Sequence, residues 1–80
     1  MSKRTLLLDA LQKKYESMRA ESLATLEVYF DSAAGIGEHP QIVEEMSKQM
    51  EALAAAEDIL GSLRRNYKTT PLQPTQDNAR

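Results

Sequence analysis

A short segment combines glycines with an imidazole, and such a combination could bind an anion. The segment is Gly35-Ile36-Gly37-Glu38-His39-Pro40, and it holds the only histidine of the chain. Free amide groups at a helix start could bind phosphate or carboxylate there, so Gly35, Gly37 and His39 form a candidate anion site. The alternative is a structural turn, because glycine commonly ends one helix and proline fits the first turn of the next. The turn is favoured, because three acidic side chains crowd the same place: Glu38, Glu44 and Glu45.

A second group combines aromatic rings with cations. Rings beside Lys and Arg suit the stacking of a base and the pairing of phosphate oxygens. If two helices fold back on each other, these residues come to one end and form a candidate site for an anionic small ligand. The alternative, a solvated charged surface, is the usual state of such helix faces. The residues concerned are Lys14, Tyr15, Arg64, Arg65 and Tyr67.

Catalysis and cofactor chemistry have no support in the sequence. The chain of 80 residues has no cysteine and one histidine, so neither thiolate chemistry nor a metal site is expected. His39 has no serine or cysteine nucleophile with an orienting acid nearby, and we therefore expect no enzyme and no cofactor. A net charge of −2 argues against nucleic acid as a partner. No apolar run is long enough to cross a membrane, and no signal peptide is recognisable.

The first half of the chain has the periodicity of one long helix, predicted from about residue 3 to about residue 33, with Ser2 as its cap. Gaps of three and four residues separate the members of its main apolar stripe, in which Ser22 fills one place. The stripe comprises Leu8, Leu11, Tyr15, Met18, Leu26, Tyr29 and Ala33. A neighbouring stripe holds Leu7, Leu23, Phe30 and Ala34.

A second helix is predicted from Pro40 to about Tyr67. Its near-heptad stripe predicts a coiled-coil-like seam. Gly61 lies inside this helix at a cost of about 1 kcal/mol relative to alanine, so either a close helix contact compensates or the helix bends there, and the close contact is favoured. The seam stripe comprises Val43, Met46, Met50, Leu53, Glu57, Leu60, Leu63 or Arg64, and Tyr67. A stripe of smaller residues comprises Ala52, Ala55, Ala56, Ile59 and Leu63.

These segments predict an all-α fold with two long antiparallel helices, a glycine-rich turn at residues 34–39 and an extended or disordered tail at 68–80. Residues 1–67 are expected to form one helical hairpin. Two helices share only one interface, which is too little burial to offset the ordering entropy of so long a chain. Each helix also carries two apolar stripes. We therefore expect the hairpin to associate with itself into a homo-oligomeric helical bundle.

Glu57 is the one carboxylate in the predicted seam. A buried carboxylate needs a partner, because an unpaired one costs several kcal/mol. Pairing across the hairpin brings Tyr15 and Arg19 near it. We expect Glu57 to be at least partly buried in a polar seam and to contact Tyr15 or Arg19, from its own chain or a neighbour, in a contact that fixes the register of the helices.

Several segments resemble a family of short uncharacterised proteins encoded by large tailed phages of marine bacteria, cyanophages among them. The resemblance spans roughly residues 10–67 and rests on the 35–40 hexapeptide, Ile42-Val43-Glu44, Ala56-Glu57-Asp58, Leu63 and Tyr67. It implies a phage-encoded α-helical hairpin in the host cytoplasm or the virion, and it brings no established activity. In architecture alone the chain is similar to helical-hairpin phage sponge proteins, which act as oligomers and bind cyclic nucleotide immune signals between subunits.

Two functions follow as hypotheses. The first is a non-enzymatic, self-associating phage protein that acts through protein–protein contacts as a structural or accessory factor, with itself and other phage or host proteins as partners. The second is an oligomeric sponge that holds a cyclic oligonucleotide or a related anionic ligand between subunits.

Overall fold

The structure is a computed structural model that describes residues 2–31 and 41–69. It contains two helices, α1 (Lys3–Asp31) and α2 (Ile42–Tyr67), and no strand within the described residues. The helices pack against each other along their length. Arg4 lies against Tyr67 and Arg19 against Glu57, so the two helices run antiparallel. The predicted all-α helical hairpin is therefore confirmed as a two-helix fold.

The helix ends that the structure describes agree with the expected ones. α1 begins at Lys3 and α2 ends at Tyr67. α2 begins at Ile42, with Gln41 as its N-cap, two residues after the predicted start at Pro40. The predicted end of α1 near residue 33 lies outside the described residues. The same holds for the glycine-rich turn at 34–39 and for the tail beyond residue 69.

Ser2 caps α1, as predicted. Its Oγ accepts a hydrogen bond from the backbone N–H of Thr5 at 3.0 Å, and its carbonyl oxygen accepts one from the N–H of Leu6 at 3.0 Å. The bond to Oγ satisfies a donor that the first turn of a helix cannot pair internally, and the bond to the carbonyl oxygen is the first regular bond of the helix.

Acidic side chains stabilise the start of α2, and a backbone hydrogen bond stabilises its end. The side chain of Gln41, the residue before the helix, makes no capping hydrogen bond, but Glu44 and Glu45 place negative charge in the first turn. Negative charge there interacts favourably with the positive end of the helix dipole. At the other end Lys68 adopts the left-handed conformation, with φ 58° and ψ 41°, and its N–H donates to the carbonyl oxygen of Arg64 at 3.1 Å.

The core is one seam between the two helices. On α2 the inward positions recur with gaps of four and three residues, which is a heptad pattern of a coiled-coil-like pair. Ala56 is completely buried, and the small residue lets the helices approach closely. From α1 the seam receives Leu26 and the polar Ser22, which is also buried. The buried apolar residues are Leu26, Ile42, Leu53, Ala56, Leu60 and Leu63.

The predicted heptad phase of α2 is wrong by one residue at three positions. The places expected of Val43, Met50 and Glu57, all three of which are exposed, are taken by Ile42, Gln49 and Ala56. Hydrophobicity favoured the predicted phase, because valine and methionine are more apolar than glutamine and alanine. That phase would also bury a carboxylate, and burying Ala56 in its place avoids the desolvation cost. Tyr67, the last member of the predicted stripe, is half exposed.

Gly61 is buried, but the predicted close helix contact is not its cause. A Cβ atom built on Gly61 would lie 3.0 Å from Nη1 and 4.0 Å from Cζ of Arg65, and no other described atom outside the local backbone of α2 falls within 4 Å. A side chain at this position would therefore meet Arg65 of its own helix and no atom of α1.

Candidate functional surfaces

The end of the hairpin formed by the start of α1 and the end of α2, which we call the open end, carries two cation–aromatic pairs. Cζ of Arg4 lies 5.8 Å from the centre of the Tyr67 ring, and Nζ of Lys14 lies 5.6 Å from the centre of the Tyr15 ring. Both distances are within the range of a cation–π attraction. The contact between Arg4 and Tyr67 joins the two helices at the end of the seam.

The five residues of the candidate ligand site are spread along this end. Tyr67 lies beside Arg4, whereas Tyr15 lies eleven residues further along α1, a separation of about 16 Å along the helix axis. The guanidinium of Arg65 lies over Gly61. One chain therefore places Tyr67 and Tyr15 at different levels of the hairpin. The candidate ligand site predicted from the sequence did not include Arg4, although antiparallel pairing of the helices places it opposite Tyr67.

The predicted polar contact of Glu57 is present at the rim of the seam. Nε of Arg19 donates to Oε2 of Glu57 at 3.1 Å. The Glu57 side chain is 48% exposed and that of Arg19 is 29% exposed, so the carboxylate is only partly buried and does not lie inside the seam. Tyr15, the third residue of the predicted contact, is half-buried.

Two further polar contacts of α1 join side chains four residues apart on the helix surface. Nζ of Lys13 donates to Oδ1 of Asp9 at 2.8 Å, and this hydrogen bond, together with the charge of Asp9, raises the pKa of Lys13 above its usual 10.5. Nε2 of Gln12 donates to Oε2 of Glu16 at 2.8 Å. Such pairs four residues apart stabilise a helix modestly and converge on no ligand.

The candidate anion site lies outside the described residues, since it comprises Gly35, Gly37 and His39. It stays a prediction. Within residues 2–31 and 41–69 no three His, Cys, Asp or Glu side chains come together in a way that could hold a metal ion. Neither α1 nor α2 is long and apolar enough to cross a membrane.

The most distinctive surface feature is exposed apolar side chains. Among the described residues, nine large hydrophobic residues are more than a third exposed, whereas the seam buries five large hydrophobic residues and Ala56. Single exposed hydrophobic residues are ordinary, but contiguous patches mark interaction sites. The nine are Leu6, Leu7, Leu11, Leu23, Val28, Phe30, Val43, Met50 and Tyr67.

Four of the nine form what we call the linker-proximal patch, because they lie in the half of the hairpin next to residues 32–40. Leu23 and Phe30 are seven residues apart on α1, and Val43 and Met50 are seven apart on α2, so each pair shares one side of its helix. The contact from Arg19 to Glu57 links the same two sides, since Glu57 follows Met50 by another seven residues. The two pairs therefore flank one side of the seam.

Comparison of the chain with protein-family models, with curated proteins and with solved structures finds no match.

Proposed function

We propose that this chain acts through protein–protein contacts as a self-associating helical hairpin. The observation that carries the proposal is the balance of large hydrophobic residues in residues 2–31 and 41–69: nine are exposed, whereas five, together with Ala56, are buried. A hairpin has one internal interface, and domains of this size usually need oligomerisation or another staple to be stable. A second copy covers the exposed side chains and supplies the missing burial.

The test is the dependence of the thermal unfolding midpoint on protein concentration. Because association stabilises the folded state by mass action, the midpoint of a self-associating hairpin rises with total protein concentration. A hundredfold range of concentration is measured by circular dichroism at 222 nm, in one buffer. A midpoint that stays constant over that range, for a chain that is folded and monomeric, contradicts the proposal.

The biological setting follows from the resemblance to phage hairpin proteins. We assign the protein to the host cytoplasm or the virion, as a structural or accessory factor without enzymatic activity. Its other partners are then phage or host proteins. Fractionation of infected cells and purified virions, with detection of the chain by mass spectrometry, decides between the two locations.

A second candidate function is the binding of a nucleotide-type ligand, such as a cyclic oligonucleotide, between subunits. What favours it is the pairing of a cation with an aromatic ring at two levels of the open end, Arg4 with Tyr67 and Lys14 with Tyr15. A base would stack on a tyrosine, and phosphates would pair with the cations, including Arg64 and Arg65. Two copies are required, because one chain separates the two tyrosines.

Thermal shift against a panel of linear and cyclic nucleotides tests this candidate. A ligand at one hundred times its Kd stabilises the folded state by about 2.7 kcal/mol. Tyr15→Ala should abolish the shift, whereas Val28→Ala, at an exposed position away from the cations, should preserve it. The absence of a shift with every nucleotide, or an equal shift in the two variants, contradicts the candidate.

A further inference from the structure

The two halves of the hairpin carry opposite net charge. The linker-proximal half, residues 20–31 and 41–55, holds six acidic residues and one basic residue, a net charge of −5. The terminal half, residues 2–19 and 56–69, holds eight basic and four acidic residues, a net charge of +4. The acidic residues of the first half are Glu21, Glu27, Asp31, Glu44, Glu45 and Glu51, and its basic residue is Lys48.

Each half also presents apolar side chains among its charges. In the linker-proximal patch Leu23 is 38%, Phe30 59%, Val43 72% and Met50 50% exposed. Glu27 lies between Leu23 and Phe30 on the same side of α1, at spacings of four and three residues. The patch therefore combines apolar surface with negative charge.

In the terminal half, Leu7 and Leu11 are exposed and lie on one side of α1. Arg4 and Lys14 flank them on that side, at spacings of three residues. We call these two leucines the terminal patch. It has apolar surface as the linker-proximal patch does, but its flanking charges are positive.

We propose that the linker-proximal patch of one copy docks on the terminal patch of a second copy, so that unlike halves of the two hairpins meet. The inference rests on the proposed self-association and adds its orientation. Contact between like halves would bring two charges of −5, or two of +4, within a Debye length of each other, which is about 8 Å at physiological salt. Contact between unlike halves makes the same electrostatic interaction attractive, and complementary charge fixes the register of an interface.

The exposed area of the patch is about half of the surface that one partner buries in a standard interface. The four side chains together expose on the order of 400 Å², within the range of the largest apolar patch on ordinary monomers. A standard interface buries about 800 Å² on each partner, with an apolar centre and a polar rim. The patch supplies the centre, and the flanking charges, such as Glu27 opposite Arg4 and Lys14, supply the rim.

Cross-linking of the full chain tests the orientation, since the protein has no cysteine of its own. Two single-cysteine variants, Met50→Cys and Leu11→Cys, are mixed in equal amounts and treated with a short bismaleimide. Random association fixes the ratio of the mixed cross-linked product to the two like products. We expect the ratio measured by mass spectrometry to exceed that random ratio at least fivefold. The matched control is Asp58→Cys, exposed on α2 outside both patches, which should give random proportions with Met50→Cys.

The salt dependence of association gives a second readout that needs no substitution. For contact between unlike halves, the association constant measured by sedimentation falls several-fold between 50 mM and 500 mM salt, since salt screens the attraction. An association constant that rises with salt, or a predominance of the cross-linked product of two Met50→Cys chains, overturns the orientation and leaves self-association standing. A chain that is monomeric under all these conditions overturns the orientation together with the proposed function.

Discussion

Gly61 is the position at which a single added methyl group probes the packing of α2. The glycine lies in the interior of α2, where alanine is favoured by about 1 kcal/mol. The Cβ atom of Gly61→Ala would meet Nη1 of Arg65 at 3.0 Å and no atom of α1 within 4 Å. The obstacle is the far end of a flexible side chain, which moves at small cost.

We therefore expect Gly61→Ala to stabilise the fold. Subtracting a few tenths of a kcal/mol for moving the guanidinium from the helix-propensity gain leaves about 0.5–0.8 kcal/mol. For a domain of this size that free energy raises the unfolding midpoint by roughly 2–8 °C. The measurement is thermal unfolding followed by circular dichroism, with wild type and variant at one protein concentration.

A matched control calibrates the helix propensity on the same helix. Ala54 is exposed on α2, and Ala54→Gly should lower stability by about 1 kcal/mol without any change in packing. In an Arg65→Ala background the gain from Gly61→Ala should be larger, because the obstacle is gone. If Gly61→Ala lowers the midpoint while Ala54→Gly behaves as expected, a surface other than the Arg65 side chain packs on Gly61, and the expected stabilisation is refuted.

Three further sets of substitutions probe the seam, the end of α2 and the ion pair. Ala56→Leu should lower the free energy of unfolding by about 1–3 kcal/mol through overpacking of the seam. Ala55→Leu, at an exposed position one residue earlier, should change it by no more than about 0.5 kcal/mol, as measured by chemical denaturation. Equal effects would mean that α2 is rotated and Ala56 does not face α1. Lys68→Gly should stabilise by about 0.5–1 kcal/mol, because glycine adopts a positive φ without strain, and Lys68→Ala should not; a gain in both would refute the strain at this position. A double-mutant cycle of Arg19→Ala and Glu57→Ala should give a coupling below about 1 kcal/mol, as for exposed pairs, and a coupling above about 2 kcal/mol would indicate that a second copy buries the pair.

Local signals in the sequence predicted the elements well. The apolar periodicity over residues 3–31 and 42–67 is long enough to identify two helices, and Ser2 caps α1 because a hydroxyl before a helical pattern is a direct local signal. The charge of Glu57 likewise predicted a partner on the other helix, and Arg19 supplies it.

The rotation of α2 about its axis could not be read from hydrophobicity. Two overlapping heptads, one through Ile42, Gln49 and Ala56 and one through Val43 and Met50, compete on that helix. The first places a glutamine and an alanine inside, and the second is more apolar. The structure adopts the first, in which helix proximity at Ala56 and solvation of the carboxylate outweigh side-chain hydrophobicity.

The candidate ligand site shows a related limit. Charge and ring content identified Tyr15 and Tyr67, but the axial position of each residue depends on how the helices pair. Antiparallel pairing places Tyr67 beside Arg4 and leaves Tyr15 further along α1. A site that joins them depends on contacts between copies, which the sequence of one chain does not specify.

The mass of the protein in solution decides whether the hairpin associates with itself. Size-exclusion chromatography with multi-angle light scattering, at micromolar concentration and physiological salt, measures that mass without reference to shape. Self-association predicts a mass of at least twice the 9.0 kDa of one chain. A folded, fully helical protein with a mass of 9.0 kDa across the concentration range would show that the exposed hydrophobic residues have no partner in a second copy, and it would contradict the proposed function.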